Sequence, residues 1–327
     1  MNKLITIVVP VYNVEKYIER CIVSLYSSDE SLFNLVLVDD ETPDNSISVA
    51  EHCLRGYSNF RIVHQKNKGL SGARNTGLAI VETPYIWFVD SDDFLLENAI
   101  GRVLKVIKEY GSHVDIIHFG FEYMYANTIR KSRIAFENQI VAGYELLRKI
   151  GGEVSAWRNV YKVSFLRENH LSFYDGLLFE DLDFNVKAFS LTESIYVMNE
   201  YLYEYNQVNS DSIMHNVKVK HAESMLIIVR DISNFIKDRK MNKEKISVCC
   251  YHAGRAFTFS LRYYNKLVPN EKSVIEEVYR QEKNDVVFAL RNSYYLPHKL
   301  FSFLLIFLSY PKMSTMIDRI SKIQAWL

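Results

Sequence analysis

The stretch YIWFVDSDDF, residues 85–94, joins a run of apolar side chains to three aspartates, Asp90, Asp92 and Asp93. The apolar half has the length and composition of a buried strand, whereas like-charged carboxylates repel one another and resist desolvation. A solvated turn in which Asp93 caps the following helix would explain the aspartates. A bound divalent cation would explain them as well, because it cancels their mutual repulsion.

The sequence around this stretch predicts alternating strands and helices. The strand-like apolar runs are Leu4–Val11, Phe33–Val38, Phe60–His64 and Tyr85–Val89. Helical spacing of apolar residues separates them and follows the last of them, at 14–25, 45–54, 72–80 and 99–107. Asn13 is the expected N-cap of the first helix. This order predicts an α/β fold in which helices cover both faces of a mostly parallel sheet.

Ligands of such sheets bind beyond the carboxyl ends of the strands. The first strand delivers Tyr12 to that edge, the second delivers Asp39 and Asp40, and the fourth delivers the aspartates of residues 90–93. The sequence contains no GxxxxGKS/T or GxGxxG loop to hold a phosphate. A diphosphate would then be held most readily through Mg²⁺ or Mn²⁺, which bind carboxylate and phosphate oxygens.

The composition of the 327 residues excludes several other classes of protein. Lys+Arg and Asp+Glu balance at 39 each, which leaves no basic footprint for a nucleic acid. Four cysteines make no disulfide framework in a chain of this length, and this favours a reducing cytosol. The apolar N-terminus is better explained as a buried strand than as a signal peptide. No apolar run reaches the ~20 residues of a transmembrane helix.

Beyond residue 114 the alternation becomes less regular. The sequence predicts a strand at Asp115–Tyr125, a helix at Gly143–Ile150 and a last long strand at Ser194–Tyr205. From about residue 216 onward the pattern is mostly helical. We therefore expect a catalytic or binding domain at 1–215 and a helical C-terminal region at 216–327.

Five motifs, in this order, resemble those of family 2 glycosyltransferases of the bacterial capsular and exopolysaccharide type. They are ITIVVPVYNVEKYIERCIVSL, LVLVDDETPDNS, NKGLSGARNTGL, YIWFVDSDDFL and LLFEDLDF. The resemblance covers about residues 3–215 and implies the GT-A fold of nucleotide-diphospho-sugar transferases. It also implies metal-dependent, inverting transfer from a UDP-sugar to a saccharide hydroxyl, which forms a β linkage in a surface polysaccharide.

The resemblance assigns a role to each matching position. Asp181 corresponds to the catalytic base, and Asp92 to the ligand of Mn²⁺ or Mg²⁺. Trp157 and Glu180 correspond to acceptor-binding positions. Positions expected to bind the nucleotide sugar are Pro10, Tyr12, Asp40, Arg74, Asp90 and Ser91. Asp39 is expected to be structural, and Asn206 replaces the family's usual arginine.

The residues alone do not single out Asp181. A helix N-terminus favours acidic residues through its dipole, and this explains Glu180, Asp181 and Asp183 equally well. Two other functions also stay open. One is a GT-A-like protein that binds a sugar nucleotide without turnover. The other is a nucleotidyltransferase, although the first strand is not followed by the Gly-rich basic loop that such an enzyme would need.

The resemblance implies a sugar-nucleotide donor and a saccharide acceptor that is lipid-linked in this kind of pathway, at the inner face of the cell membrane. The apolar stretch Leu296–Lys312 allows two interpretations. It is a helix packed against the catalytic domain or a second subunit, or it is a monotopic anchor in the membrane interface.

Overall fold

The computed structural model describes residues 3–208 and 218–324. The chain divides into two compact units, the first comprising Met1–Gly176 and Leu191–Ser210, the second Leu177–Ser190 and Asp211–Leu327. The FED motif, residues 179–181, therefore belongs to the second unit. The domain boundary expected at residues 215 and 216 lies outside the described residues and stays a prediction.

The first unit is an α/β sheet structure. Its strands are β1 (Ile5–Val11), β2 (Phe33–Asp39), β3 (Phe60–His64), β4 (Tyr85–Phe88), β5 (Phe94–Leu95), β6 (Ile116–Met124), β7 (Ile129–Lys131), β8 (Gln139–Val141), β9 (Asn159–Lys162) and β10 (Ile195–Asn206). Its helices are α1 (Ile18–Leu25), α2 (Ser46–Cys53), α3 (Gly69–Ile80), α4 (Ala99–Tyr110), α5 (Gly143–Ile150) and α6 (Val163–Glu168). Short 3₁₀ turns lie at Glu30–Leu32 and Ala156–Arg158.

Within the described part of the chain, the strands form one sheet with the order β3-β2-β1-β4-β9-β6-β10-β5. β7 pairs with β6, and β8 pairs with β10. Strands β3, β2, β1 and β4 run parallel to one another, and β6 runs parallel to β10. β9 is antiparallel to both β4 and β6. The predicted α/β class with a mostly parallel sheet is confirmed.

Helices cover both faces of β1, as a fully buried strand requires. One face of β1 and the apolar stripe of α1 share a core, whose members there are Ile5, Ile7, Val9, Val11, Ile18, Cys21, Ile22 and Leu25. On the other face, α3 approaches β1 closely at Gly77. A Cβ atom at Gly77 would lie 2.3 Å from Cγ1 of Val8, so the close approach requires glycine.

The predicted helix cap at Asn13 is wrong, and of the interpretations of Asp93 the helix cap does not hold. Asn13 has a φ of 55° and donates its backbone N–H to Oγ1 of Thr42 over 2.8 Å, whereas α1 begins at Ile18. Asp93 is buried, and the helix that follows it begins only at Ala99. In both cases the chain makes an additional turn between strand and helix, and apolar periodicity does not reveal such a turn.

The second unit is helical over its described residues. Its helices are α7 (Glu180–Leu191), α8 (Val219–Lys237), α9 (Lys243–Asn265), α10 (Pro269–Asn292), α11 (Leu296–Leu304) and α12 (Tyr310–Gln324). α8, α9 and α10 pack against one another, α11 packs on α10, and α12 packs on α9. Across 3–208 and 218–324, no helix has both the length and the hydropathy that crossing a bilayer would require.

Candidate functional site

The carboxyl ends of β1, β2 and β4 meet at one edge of the sheet. Val11 pairs with Asp39 across β1 and β2, and the backbone N–H of Val89 donates to the carbonyl of Val8 over 3.0 Å. The loops that leave these strands carry Tyr12, the pair Asp39-Asp40 and the aspartates 90–93. The structure therefore brings together the residues that the sequence placed at this edge.

Asp39 and Asp40 have different surroundings. Asp39 accepts a hydrogen bond from the backbone N–H of Thr42 over 2.9 Å, and its second oxygen lies 2.8 Å from Nδ1 of His64. Asp40 is buried, and its Oδ1 accepts from Nε2 of Gln65 over 2.7 Å and from the backbone N–H of Lys68 over 2.8 Å. Asp39 thus fixes its own loop, as expected, and Asp40 is held rigidly at the strand end.

Asp90 forms an ion pair with Arg74 of α3. Nη2 of Arg74 lies 2.7 Å from Oδ1 of Asp90, and the guanidinium group lies 5.2 Å from the ring centre of Phe173. Arg74 is fully buried, whereas Asp90 is half-buried. The sequence placed these two residues separately at the nucleotide. In the structure the buried guanidinium of Arg74 and the carboxylate of Asp90 are direct partners.

Asp93 is turned inward from the aspartate turn. Its two oxygens accept hydrogen bonds from the hydroxyl of Tyr203 and from the backbone N–H of Asn206, each over 2.7 Å. Burial raises the pKa of Asp93 well above its usual range, and the nearby Asp92 and Asp90 raise it further. Nδ2 of Asn206 also donates to the backbone carbonyl of Asp92 over 3.1 Å. The end of β10 therefore holds the whole turn in place.

Asp92 and Tyr12 are more accessible than their neighbours. The side chain of Asp92 is half-buried, and that of Tyr12 is 50% exposed at the end of β1. Ser91, between Asp90 and Asp92, is buried, and so is Pro10 within β1. Tyr12, Asp90 and Asp92 are thus the accessible members of this group, whereas Pro10 and Ser91 are buried.

Trp157 lies beneath this edge and not on the surface. Its ring stacks on that of Tyr203 with centroids 4.3 Å apart and an interplanar angle of 9°, and only 4% of the residue is exposed. Its backbone carbonyl accepts a hydrogen bond from Nε1 of Trp87 over 2.8 Å. Trp157 therefore supports Tyr203, which in turn holds Asp93.

In the second unit, the acidic run opens helix α7. Phe179, which precedes it, has a φ of 62°, an unusual value for a residue with a Cβ. Its ring stacks against Tyr263 with centroids 5.7 Å apart. Glu180 is buried, whereas the side chain of Asp181 is half-buried. A sharp, packed turn thus sets the first residues of α7.

Asp183 is distinguished from Asp181 by its partners. It is fully buried and accepts from Nζ of Lys187 over 2.6 Å, and Lys187 also pairs with Asp231 of α8. Burial raises the pKa of Asp183 to about 7, against the opposing effect of Lys187. Asp183 therefore joins α7 to α8. Of Glu180, Asp181 and Asp183, only Asp181 is half-buried, and the other two are buried.

The donor atoms at the sheet edge fit a metal that is shared with a nucleotide. Among residues 3–208 and 218–324, no three His, Cys, Asp or Glu side chains are grouped as a protein-only metal site would need. Mg²⁺ and Mn²⁺ on nucleotides commonly use one or two carboxylates and complete their shell with phosphate oxygens and water. The half-buried carboxylates of Asp90 and Asp92 match that donor set.

Sequence reasoning missed Tyr203, Asn206 and Gln65, which hold these aspartates. Tyr203 stood out only as a residue of the predicted last strand, and Asn206 only as a replacement for an arginine. They act on Asp93 from more than a hundred residues away in sequence, so no local motif links them. Only the pairing of β10 with its neighbours places them there.

Residues 6–165 match the family model described as glycosyl transferase family 2. These residues belong to this family, as four of the five motifs indicated, and the fifth motif, LLFEDLDF, lies beyond the matched range. The chain is similar to the uncharacterized glycosyltransferase EpsJ of Bacillus subtilis, with 31% identity over 215 residues. That match covers 63% of this chain and 62% of EpsJ, so the chain aligns with less than two thirds of that relative.

A second relative aligns over more of its length. Glycosyltransferase GlyG of Streptococcus pneumoniae is 27% identical over 313 residues, which cover 89% of this chain and 96% of GlyG. The similarity to GlyG therefore extends beyond the five motifs into the helical C-terminal region.

Solved structures share the fold. The structure of S. aureus TarS 1-349 in complex with UDP is 20% identical, with a TM-score of 0.76, and covers 98% of this chain and 92% of that one. The structure of the same TarS fragment with UDP-GlcNAc has a TM-score of 0.71 at 21% identity and covers 92% and 89%. The mannosyltransferase PcManGT of Pyrobaculum calidifontis, in complex with GDP-Man and Mn²⁺, is 12% identical with a TM-score of 0.56 and covers 99% and 88%. The predicted GT-A fold with a C-terminal helical region is confirmed.

Proposed function

We propose that this protein is a glycosyltransferase that moves a sugar from a nucleotide-diphosphate donor, UDP-linked, to a saccharide hydroxyl in bacterial surface polymer synthesis. The observation that carries the proposal is the convergence of Asp40, Asp90 and Asp92 at one sheet edge beside the exposed ring of Tyr12. Membership in glycosyl transferase family 2 supports the reaction class. The UDP and UDP-GlcNAc complexes of TarS, which share the fold, support the choice of nucleotide.

The first unit would bind the donor. Tyr12 offers an aromatic face on which a base stacks, and Asp40 is a rigidly held acceptor for the N–H edge of uracil. Asp90, placed by Arg74, faces the ribose. Residues 1–215 would then form the catalytic domain, and 216–327 the helical region that accompanies it.

Asp92 would hold a divalent cation, with Asp90 close by. PcManGT, a distant relative in fold, carries Mn²⁺ with its GDP-sugar, which supports this assignment. A bound Mn²⁺ or Mg²⁺ supplies charge neutralisation at the diphosphate. The protein's own contribution is to fix the Asp92 backbone through Asn206, so that the carboxylate stays at the mouth of the site.

Asp181 would act as the general base. A carboxylate positioned against the acceptor hydroxyl takes its proton as the oxygen forms a bond with the anomeric carbon. The bond from that carbon to the diphosphate breaks, and its electron pair leaves with UDP. A single displacement of this kind inverts an α-linked donor to a β-linked product. Glu180, on the same turn, would contact the acceptor, and Trp157 would act through Tyr203.

The acceptor and the location follow from the pathway that the family implies. We propose a saccharide that is lipid-linked, in capsule or exopolysaccharide assembly, with the enzyme in the cytoplasm at the inner face of the membrane. EpsJ and GlyG, which are bacterial glycosyltransferases by name, support the class of reaction.

The alternative is a GT-A-like protein that binds a sugar nucleotide without turnover. Such a protein would be expected to lack the metal carboxylate or the base, and this chain carries both Asp92 and Asp181. The carboxylates therefore favour the enzyme.

A donor screen tests the proposal. Purified full-length protein is incubated with UDP- and GDP-sugars and Mn²⁺, and release of free UDP or GDP is measured, with the Asp92→Asn protein as the control. We expect UDP release from one UDP-sugar, abolished in the control. Tight UDP-sugar binding without release from any donor, even with saccharide acceptors added, would favour the binding protein.

A further inference from the structure

Helix α11 and the turn after it present an apolar face to solvent. Each of its side chains is between 56% and 68% exposed, and they are Leu296, Leu300, Phe303, Ile306 and Phe307. Leu296, Leu300, Phe303 and Phe307 follow the spacing of one helix side. Solvated monomers rarely expose so many large apolar side chains together. We call these five residues the α11 face.

The opposite side of α11 is fixed to the second unit. His298 is buried, with Nδ1 3.0 Å from Oγ of Ser293, and its ring stacks on Tyr251 at 5.6 Å between centroids. A Cβ atom at Gly254 of α9 would lie 2.4 Å from Nδ1 of His298, so the approach depends on glycine there. The α11 face therefore belongs to a helix that is already packed and points away from its support.

The charged residues in the sequence around the α11 face have one sign. The sequence holds 39 Asp and Glu in 327 residues, yet residues 286–317 contain none. The same stretch carries Arg291, Lys299 and Lys312, all exposed. An apolar stripe in a stretch whose charged side chains are all basic is complementary to a surface that is apolar inside and anionic outside.

We propose that the α11 face is a docking surface for an anionic lipid bilayer. Its leucines and phenylalanines would enter the boundary between headgroups and acyl chains, to a depth of about 5–10 Å. Lys299 and Lys312 would meet the anionic headgroups. Tyr294 and Tyr295, both exposed beside the helix, have the amphipathic rings that favour this level of a membrane. The inference rests on exposure and charge and is independent of the proposed catalysis.

A second copy of the chain fits this surface less well. A two-fold contact brings the same patch of both copies together. Arg291, Lys299 and Lys312 would then approach their own copies, and the stretch offers no carboxylate to pair with them. Like charges brought together at an interface oppose association.

Flotation of the full-length protein with vesicles tests the docking surface. Vesicles of phosphatidylglycerol and of phosphatidylcholine are compared at low salt. The test variant is Leu300→Ser/Phe303→Ser/Phe307→Ser, and the matched control is Val274→Ser, an exposed apolar position on α10. We expect the wild type and the control to float with phosphatidylglycerol about tenfold more than with phosphatidylcholine. The triple variant should lose this binding with an unchanged melting temperature.

Four results would overturn the inference. They are absence of wild-type flotation with phosphatidylglycerol, equal flotation of the triple variant, equal binding to both lipids, and a melting temperature that falls in the triple variant. Analytical ultracentrifugation without lipid could give a fifth result that overturns the inference. A concentration-dependent dimer that the triple substitution dissociates would assign the face to a second copy. UDP binding, measured in the same samples, reports separately on the proposed enzymatic site.

Discussion

The hydroxyl of Tyr203 donates a hydrogen bond to the carboxylate of Asp93 over 2.7 Å, which ties β10 to the turn after β4. The three aspartates of that turn therefore have separate tasks. Asp93 points inward and accepts from Tyr203 and from the backbone of Asn206. Asp90 pairs with Arg74, and Asp92 remains accessible. Aspartates crowd the end of this strand because one is a buried anchor for the others.

Loss of the hydrogen bond from Tyr203 to Asp93 should loosen the proposed donor site. In Tyr203→Phe the buried Asp93 loses one hydrogen-bond donor, which costs about 1–3 kcal/mol when a buried polar group is left unsatisfied. We expect a lower melting temperature and UDP binding weaker by about tenfold, measured by calorimetry. Tyr201→Phe is the control on the same strand, because its hydroxyl bonds the carbonyl of Ser132 instead. Equal effects of the two variants on UDP binding would contradict a specific role for Tyr203.

Asp92 is predicted to carry the metal dependence of donor binding. Asp92→Asn keeps the size of the side chain but removes the negative charge that a cation needs between protein and diphosphate. Calorimetry with Mn²⁺ should show that the metal-dependent part of UDP binding is lost, and transfer should be abolished. Asp29→Asn, at an exposed turn, serves as the control. Near-normal transfer by Asp92→Asn in the presence of EDTA would remove the metal assignment.

Asp181 is predicted to affect the chemical step and to leave donor binding intact. Asp181→Asn keeps the shape of the side chain but cannot take a proton at neutral pH. Transfer should fall by roughly 10²–10⁴-fold, with UDP binding within a few-fold of the wild type.

The matched control for this experiment is Asp183→Asn. This substitution leaves Lys187 with a weaker partner inside the second unit and should lower the melting temperature. If Asp181→Asn lowers stability and UDP binding as Asp183→Asn does, Asp181 is a structural residue and the base lies elsewhere.

Arg74 is predicted to matter through Asp90. In Arg74→Met a half-buried carboxylate loses its cation, and truncating one partner of a buried pair costs several kcal/mol. We expect a clear drop in melting temperature and weaker UDP binding. Arg74→Lys should recover the stability only in part, since an ammonium group lacks the planar geometry of guanidinium. Full recovery by lysine would show that only the charge matters.

The sequence predicted the parallel strands of the first unit and the positions of the aspartates, because apolar runs and the parallel order determine both. It did not predict the partners that hold individual carboxylates in place. A helix cap was one interpretation of Asp93, yet the chain turns again before Ala99 and buries this side chain under β10. Trp157 stacks on Tyr203, a contact that the sequence did not predict, and its expected place near the acceptor stays a prediction. The partners of these side chains depend on contacts between strands that are distant in sequence, and local periodicity does not predict such contacts.

His298 gives a pH-dependent prediction for the helical unit. Burial, and the nearby Arg255, lower its pKa from 6.5 to about 4, so the folded protein holds the ring neutral. Between these two values the unfolded chain binds more protons than the folded one, and stability therefore falls as the pH decreases from 6.5 toward 4. The loss amounts to at most about 3 kcal/mol, since one pKa unit corresponds to about 1.4 kcal/mol.

His298→Asn provides the comparison, because asparagine does not titrate and can still bond Ser293. The free energy of unfolding is measured with urea at several pH values for both proteins. The free energy of unfolding of the wild type minus that of the variant should fall by up to about 3 kcal/mol from pH 7 to pH 4. All other titrating groups are common to the two proteins and cancel. A difference that stays constant over this range would mean that His298 keeps its ordinary pKa and is not buried against Tyr251 in solution.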